Sequence, residues 1–190
     1  MPDMKNIAYF AMKATIGLKK TIMTIHIFET GYFHADGGAM FGAVPKTAWS
    51  RRYPTDEHNG CILAMRSALV ETGDGRRILI DTGAGRAQME ALSYYRFFQR
   101  SDLAGELRRR QIEPRQITDV VLTHLHFDHC GDCTRPLGAD GDLAPLFPEA
   151  DYWVSRTQWE NFLHPHPLEK DSYFPQAMQA VARLGQLRWV

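Results

Sequence analysis

The sequence predicts an α/β protein of layered architecture, a mixed sheet with flanking helices, and three observations carry that reading. Short β-branched runs alternate along the chain with segments of helical spacing. Hydrophobic residues make up 44% of the 190 residues and charged residues 23%, which is ordinary globular composition. No run approaches the roughly 20 consecutive apolar residues that a membrane-spanning helix needs.

In chain order, TIHIFET (24–30) alternates branched and polar side chains and reads as the first strand. GYFHADGGAMFGAVP (31–45) carries four glycines and reads as a loop that can approach a ligand closely. WSRRYPTDEHN (49–59) is a polar surface excursion. CILAMRSALVETG is a second strand, Asp74–Gly75 a hairpin turn, and RRILIDTG the returning strand, ending in Asp81, Thr82 and Gly83. Helices are expected over 87–98 and 102–110, the second capped by Ser101 and closed by Pro114. ITDVVLTH has the apolar, β-branched character of a buried strand and delivers the chain to His124. A Gly/Asp/Pro-rich stretch (131–145) precedes another strand at 152–154. Ser155 opens S-R-T-Q, a capping box for a helix through residue 163. A last helix covers 176–184, and LRWV reads as the start of a strand.

Charge and cysteine usage narrow the function classes. The 22 Lys+Arg balance 22 Asp+Glu, so the basic excess of a nucleic-acid or anionic-membrane binder is missing. Three cysteines do not make a disulfide scaffold and favour a reducing compartment, so the expected location is cytoplasmic. Residues 1–22 are interrupted by Lys13, Lys19 and Lys20 and lack the uninterrupted apolar core of a signal peptide. They read as a poorly ordered N-terminal extension ahead of one domain spanning 23–190.

THLHFDHCGD (123–132) carries the chemistry. In an extended chain His124, His126 and Asp128 share one face while Leu125 and Phe127 point into the packing layer. A turn after Asp128 brings His129 to the same pocket. Imidazole nitrogen and carboxylate oxygen suit Zn²⁺ and other borderline divalent ions. A histidine-rich polar loop is the bland alternative. Four ligand-type residues at this spacing, directly behind a buried strand, argue against it.

THLHFDHCGD resembles the HxHxDH signature of the metallo-β-lactamase superfamily. ILIDTG resembles the superfamily's first motif, and HADGGAMFGAVPKTAW looks like the N-terminal region of the lactonase-like branch that includes quorum-quenching acyl-homoserine lactonases. The resemblance runs from about Met23 onward. It implies the N-terminal half of an αββα sandwich, with His124 and His126 on a first metal and Asp128 and His129 on a second. Asp81 is implied as an outer carboxylate orienting the metal histidines, a turn residue being the bland reading. The implied cofactor is Zn²⁺, two ions in the intact fold, with Mn²⁺ or Fe²⁺ as alternatives. The implied reaction is hydrolysis of a small-molecule ester or lactone by a hydroxide held between the metals, with Asp128 passing a proton to the leaving alkoxide. A histidine at position 126, where the oxygen-reducing diiron branch has a carboxylate, favours hydrolysis.

The resemblance also implies a further His on each metal and a bridging Asp, all downstream of this chain. The domain is therefore expected to be C-terminally incomplete. Weaker metal binding follows, as does self-association through an uncovered sheet. A catalytically inactive fragment, metal-binding or purely structural, is the competing reading.

Other residues carry weaker signals. His34, beside Asp36, and Phe41 are candidates for the substrate pocket, and Trp49 for an apolar acyl pocket, although aromatics pack cores at least as often. Cys130 and Cys133 form a lone CxxC and read as small buried side chains. His164 and His166, flanked by prolines, read as surface loop. Tyr94, Tyr95, Phe97 and Phe98 read as core, and Arg108–Arg110 as a solvated helix end.

Overall fold

The computed structural model describes residues 23–137 and 142–190, so the extension expected at 1–22 lies outside the described residues. The first strand outruns its alternation because one extra residue resets it. β1 (Thr24–Asp36) pairs antiparallel with β2 (Gly60–Glu71), and the register shifts between Glu29 and Gly31. Before the shift Phe28 is buried, and beyond it Phe33 and Ala35 are. A bulge at Thr30 thus moves the inward positions from even to odd numbers and keeps the apolar face continuous. The glycine-rich loop expected from residue 31 is strand as far as Asp36. Asp36 then caps α1 (Gly37–Phe41), its Oδ1 accepting from the Ala39 N–H at 2.9 Å. This helix stands inside the expected loop, and a second short helix, α2 (Lys46–Trp49), follows it.

β3 (Arg77–Ile80) returns antiparallel to β2, as the Asp74–Gly75 turn requires. The expected helix over 87–98 is broken into three pieces: α3 (Arg86–Ala91), one 3-10 turn (Ser93–Tyr95), and an extended segment. In that last segment Phe98 exchanges backbone hydrogen bonds with Tyr32 at 2.9 and 3.0 Å. Arg96 and Gln99 adopt left-handed φ of 50° and 47°, which ends helical geometry there. Packing decides the outcome: Tyr95 and Phe97 turn onto Phe33 and Phe127, with ring centroids between 5.2 and 6.0 Å apart. α4 (Leu103–Arg109) is capped by Asp102, not Ser101: the Asp102 carboxylate accepts from Gly105 N–H at 3.0 Å. Ser101 donates instead to Glu106.

β4 (Asp119–Val121) lies parallel to β3 and leads to α5 (Phe127–Cys130). The Gly/Asp/Pro-rich stretch holds an antiparallel pair, β5 (Thr134–Leu137) and β6 (Asp142–Pro145). β7 (Asp151–Val154) joins β4 in parallel. Ser155 then caps α6 (Arg156–Leu163), accepting from Gln158 N–H at 3.1 Å, but the capping box is only half formed, since Gln158 Oε1 is buried without a partner among the described residues. α7 (Pro175–Arg183) and β8 (Leu187–Trp189) follow. The main sheet runs β1-β2-β3-β4-β7-β8.

One face of this sheet is covered. Phe28, Leu69, Leu79, Val120 and Tyr152 pack against Leu103 and Leu107 of α4, Phe162 of α6, and Met178 and Val181 of α7. Truncating such a side chain costs about 2–5 kcal/mol. On the opposite face Ile25, Ile27, Ala68, Val70, Ile78 and Ile80 are aligned by the strand pairing, and none of them is buried. A second cluster, Phe33, Ala35, Met65, Met89 and Phe127 among it, closes the covered face at one end. Among the described residues, no helix is long and apolar enough to cross a membrane.

Candidate metal centre

Two adjacent parallel strands, β3 and β4, end side by side, and each hands its next residues to the same place. After Ile80, Asp81 takes a left-handed φ of 54°, a region that Asp tolerates better than most residues. Its N–H donates to Val121 O at 2.9 Å, which holds it against the end of β4. Its carboxylate accepts from the Thr123 N–H and the Thr123 hydroxyl, both at 2.8 Å. The same carboxylate meets His129 Nδ1 at 2.8 Å. Thr82 N–H closes the arrangement on His129 O at 2.7 Å.

The motif is not extended throughout. His126 is the N-cap of α5, with φ −74° and ψ 157°, and one helical turn then presents Asp128 and His129. The alternation expected across His124, His126 and Asp128 therefore stops at His126, where the backbone begins to coil. Leu125 and Phe127 are buried at 0% and 4% exposure, on the packing side. Glycines make the turn fit. A Cβ on Gly131 would lie 2.5 Å from Gly85 N and 2.9 Å from Ala84 Cα, so the two motif loops touch backbone to backbone.

His124, Asp128 and His129 each offer a ligand atom, and these atoms all lie within 4.8 Å of one another. The His126 ring is adjacent, its centroid 4.7 Å from that of His124, but its nitrogens stand outside the three-residue set. Burial, with the neighbouring imidazoles adding to it at His124, holds His124 and His126 below the ordinary imidazole range, so both are neutral donors near pH 7. Burial opposes charge on His129 as well, but hydrogen bonds to Asp128 and Asp81 outweigh it and push its pKa up to about 9. Burial likewise opposes ionisation of Asp128, and the bond to His129 outweighs it, so the carboxylate stays charged. Two neutral imidazoles, a carboxylate and a third imidazole already oriented by Asp81 fit a divalent cation.

A cavity of about 310 Å³ opens over these groups, walled by Phe33, Ala35, Leu63, Tyr95 and Phe127, with Met40 and Ser172 at its edge. His34 lines a neighbouring cavity of about 460 Å³, which shares Ala35, Met40 and Tyr95 with the first. Its Nδ1 stands 3.3 Å from Asp56. Phe41 is placed elsewhere: it stacks on Trp49 at 4.5 Å and lines a third cavity with Val44 and Tyr53. Cys130 and Cys133 are fully buried thiols, and burial pushes Cys133 up to about 12, which leaves it protonated and unsuited to metal. His164 and His166 are exposed.

Sequence reasoning missed Thr123, Phe33, Tyr95, Ser172 and Tyr173 as parts of this site. Thr123 stood inside the quoted motif and was legible as a hydroxyl next to a ligand. The others come from three separate segments, and only the fold joins them.

Residues 66–134 match the family model of the metallo-beta-lactamase superfamily. Among solved structures, a probable metal-dependent hydrolase from Staphylococcus aureus is 27% identical with a TM-score of 0.75, covering 91% of this chain and 60% of its own. AidC, a dizinc quorum-quenching lactonase in complex with a product, is 21% identical with a TM-score of 0.62, covering 90% and 60% respectively. The hydrolase AbOPH, of the beta lactamase superfamily, is 25% identical with a TM-score of 0.55, covering 86% and 53%. The chain thus spans about 60% of the length of the first two.

Proposed function

On the premise that this chain has the metallo-β-lactamase fold, we propose that it is a metal-dependent hydrolase of small esters or lactones, acyl-homoserine lactones among them. The observation that carries the proposal is the convergence of His124, Asp128 and His129 within 4.8 Å under a wall of apolar side chains. His124, Asp128 and His129 would hold a divalent cation, zinc first, and His126, whose ring borders that of His124, would add a fourth ligand. A cation bound there supplies Lewis acidity and lowers the pKa of coordinated water toward 7.

The chain's own residues supply the rest. Asp81 fixes the His129 ring so that Nε2 faces the Asp128 carboxylate, 3.3 Å away. The Asp128 carboxylate takes the proton released by the attacking water and returns it to the leaving alkoxide. Phe33, Leu63, Tyr95 and Phe127 exclude water on one side and offer an apolar surface to the acyl part of a substrate. The small-molecule size of the cavity and the dizinc lactonase relative support this substrate class.

The test is an assay panel with Zn²⁺, Mn²⁺ or Fe²⁺ added to the full chain. The panel holds esters, lactones including N-acyl homoserine lactones, thioesters, phosphotriesters and β-lactams. Metal-dependent turnover of an ester or lactone, abolished in a His124→Ala/His126→Ala variant, is expected. Turnover confined to another bond class overturns the substrate assignment. Equal metal content in the chain and the variant overturns the site.

A further inference from the structure

We propose that Tyr173 is the positioning residue for the His126 imidazole, doing by ring packing what hydrogen bonds do for the other two histidines. The inference rests on the metal-centre reading and adds a residue to it from the connection between α6 and α7.

Three imidazoles face the cavity, and they are held in different ways. Thr123 Oγ1 stands 3.2 Å from His124 Nδ1, and Asp81 Oδ2 stands 2.8 Å from His129 Nδ1. Among the described residues, His126 has no hydrogen bond to either ring nitrogen. Its ring instead meets the Tyr173 ring at 4.9 Å and 72°, edge to face, and the His124 ring at 4.7 Å and 79°.

Tyr173 is itself immobilised. It is 7% exposed and belongs to the main core cluster, where its ring meets Phe162 of α6 at 5.8 Å and 73°. Its N–H donates to Lys170 O at 3.3 Å, which ties it to the 3-10 turn Lys170–Ser172. Ser172, one residue earlier, lines the cavity, so this turn forms one side of the site. Phe162, Tyr173 and His126 therefore form a row of rings from the rigid core to the edge of the ligand set. A metal ligand needs its ring orientation fixed before the cation arrives, and an imidazole with no hydrogen bond draws that constraint from its neighbours. The ring makes the contact with His126, while the phenol oxygen turns toward Glu169. Phenylalanine therefore replaces tyrosine without loss, whereas leucine does not.

The experiment compares Tyr173→Phe, Tyr173→Leu and, as a core control away from the cavity, Val181→Ala in the full chain. Cobalt(II) affinity is read from visible absorption, and the histidine rings of the metal-free protein from long-range ¹H–¹⁵N spectra. Tyr173→Phe is expected to match the unsubstituted chain in both. Tyr173→Leu is expected to bind cobalt about tenfold more weakly or worse, with the His126 ring signals broadened or doubled and those of His124 and His129 unchanged. Val181→Ala lowers the melting temperature and leaves cobalt affinity in place. A single sharp His126 signal in Tyr173→Leu overturns the proposal, as does unchanged cobalt affinity there or an equal loss in Val181→Ala. If the unsubstituted chain takes up no cobalt, the metal reading fails, and the metal-free His126 signals alone decide the positioning role. Should Tyr173→Leu not fold, Phe162→Leu removes the support behind Tyr173 and must broaden the same signals; sharp signals there overturn the proposal.

Discussion

The Asp81 carboxylate meets His129 Nδ1 at 2.8 Å across 48 residues of sequence. With its second oxygen it accepts from the Thr123 N–H, so one side chain aligns both strand ends and one ligand. Asp81→Asn keeps a residue that tolerates the left-handed φ of 54° and an oxygen for Thr123, and removes the charge facing His129. Divalent-cation affinity is expected to fall about 10- to 100-fold, measured by competition with a chromophoric chelator. The His129 pKa should fall from about 9 toward ordinary imidazole values in an NMR titration.

Acidity at His129 gives a pH dependence with two opposite signs. Its folded pKa is raised to about 9 from 6.5, so the stability it contributes to the metal-free protein is complete below about pH 6.5. That contribution is lost as pH rises through 9. Cation binding runs the other way, because the proton on His129 must leave first. Affinity for Zn²⁺ should rise from pH 7 to 9, with about one proton released per ion at pH 7. Calorimetry in buffers of different ionisation enthalpy measures that number directly.

Gly131 has no room for a side chain, since its Cβ would stand 2.5 Å from Gly85 N. Gly131→Ala must separate the loop after β3 from α5, and overpacking of this kind costs about 1–3 kcal/mol. Chemical denaturation measures the loss. Because the same loops carry Asp81 and His129, cation affinity should fall with it.

Much of this was legible in the sequence, and the misses share a cause. The hairpin at Asp74–Gly75, the strand leading to His124 and the Ser155 cap depend on local chemistry, and local rules found them. The convergence of His124, Asp128 and His129 was legible for the same reason, since they are neighbours in sequence. The strand extending to Asp36 was missed because the Thr30 bulge inverts the alternation on which strand reading depends. The helix over 87–98 was overextended because Tyr95 and Phe97 gain more from the ring cluster with Phe33 and Phe127 than from another helical turn. Tyr173 could not be found at all, because its meaning lies in a contact 47 positions away from His126.

Asp119 offers a test of the sheet separate from the site. It is 4% exposed and accepts from Arg76 at 2.6 and 3.1 Å, Thr118 Oγ1 at 2.6 Å and Trp153 Nε1 at 2.8 Å. Burial opposes its charge, but these donors outweigh burial and hold its pKa below the usual carboxylate range. The resulting stability is present above the unfolded carboxylate pKa near 4 and is lost as pH falls through the lower folded value. Asp119→Ala should cost about 2 kcal/mol at neutral pH, and less in acid, as thermal melts across that range would record.

Except for Phe127, which sits within the motif itself, the cavity draws its floor and its walls from different parts of the chain. His124, Asp128 and His129 descend from the end of β4, while Phe33 and Leu63 stand on β1 and β2, and Tyr95 on the turn after α3. Inheritance can therefore act on the two independently. Under the proposed function, exchanging the aromatic and aliphatic panels would re-tailor what enters while leaving the metal-binding groups undisturbed, so descendants of this scaffold could diverge in diet without relearning their chemistry.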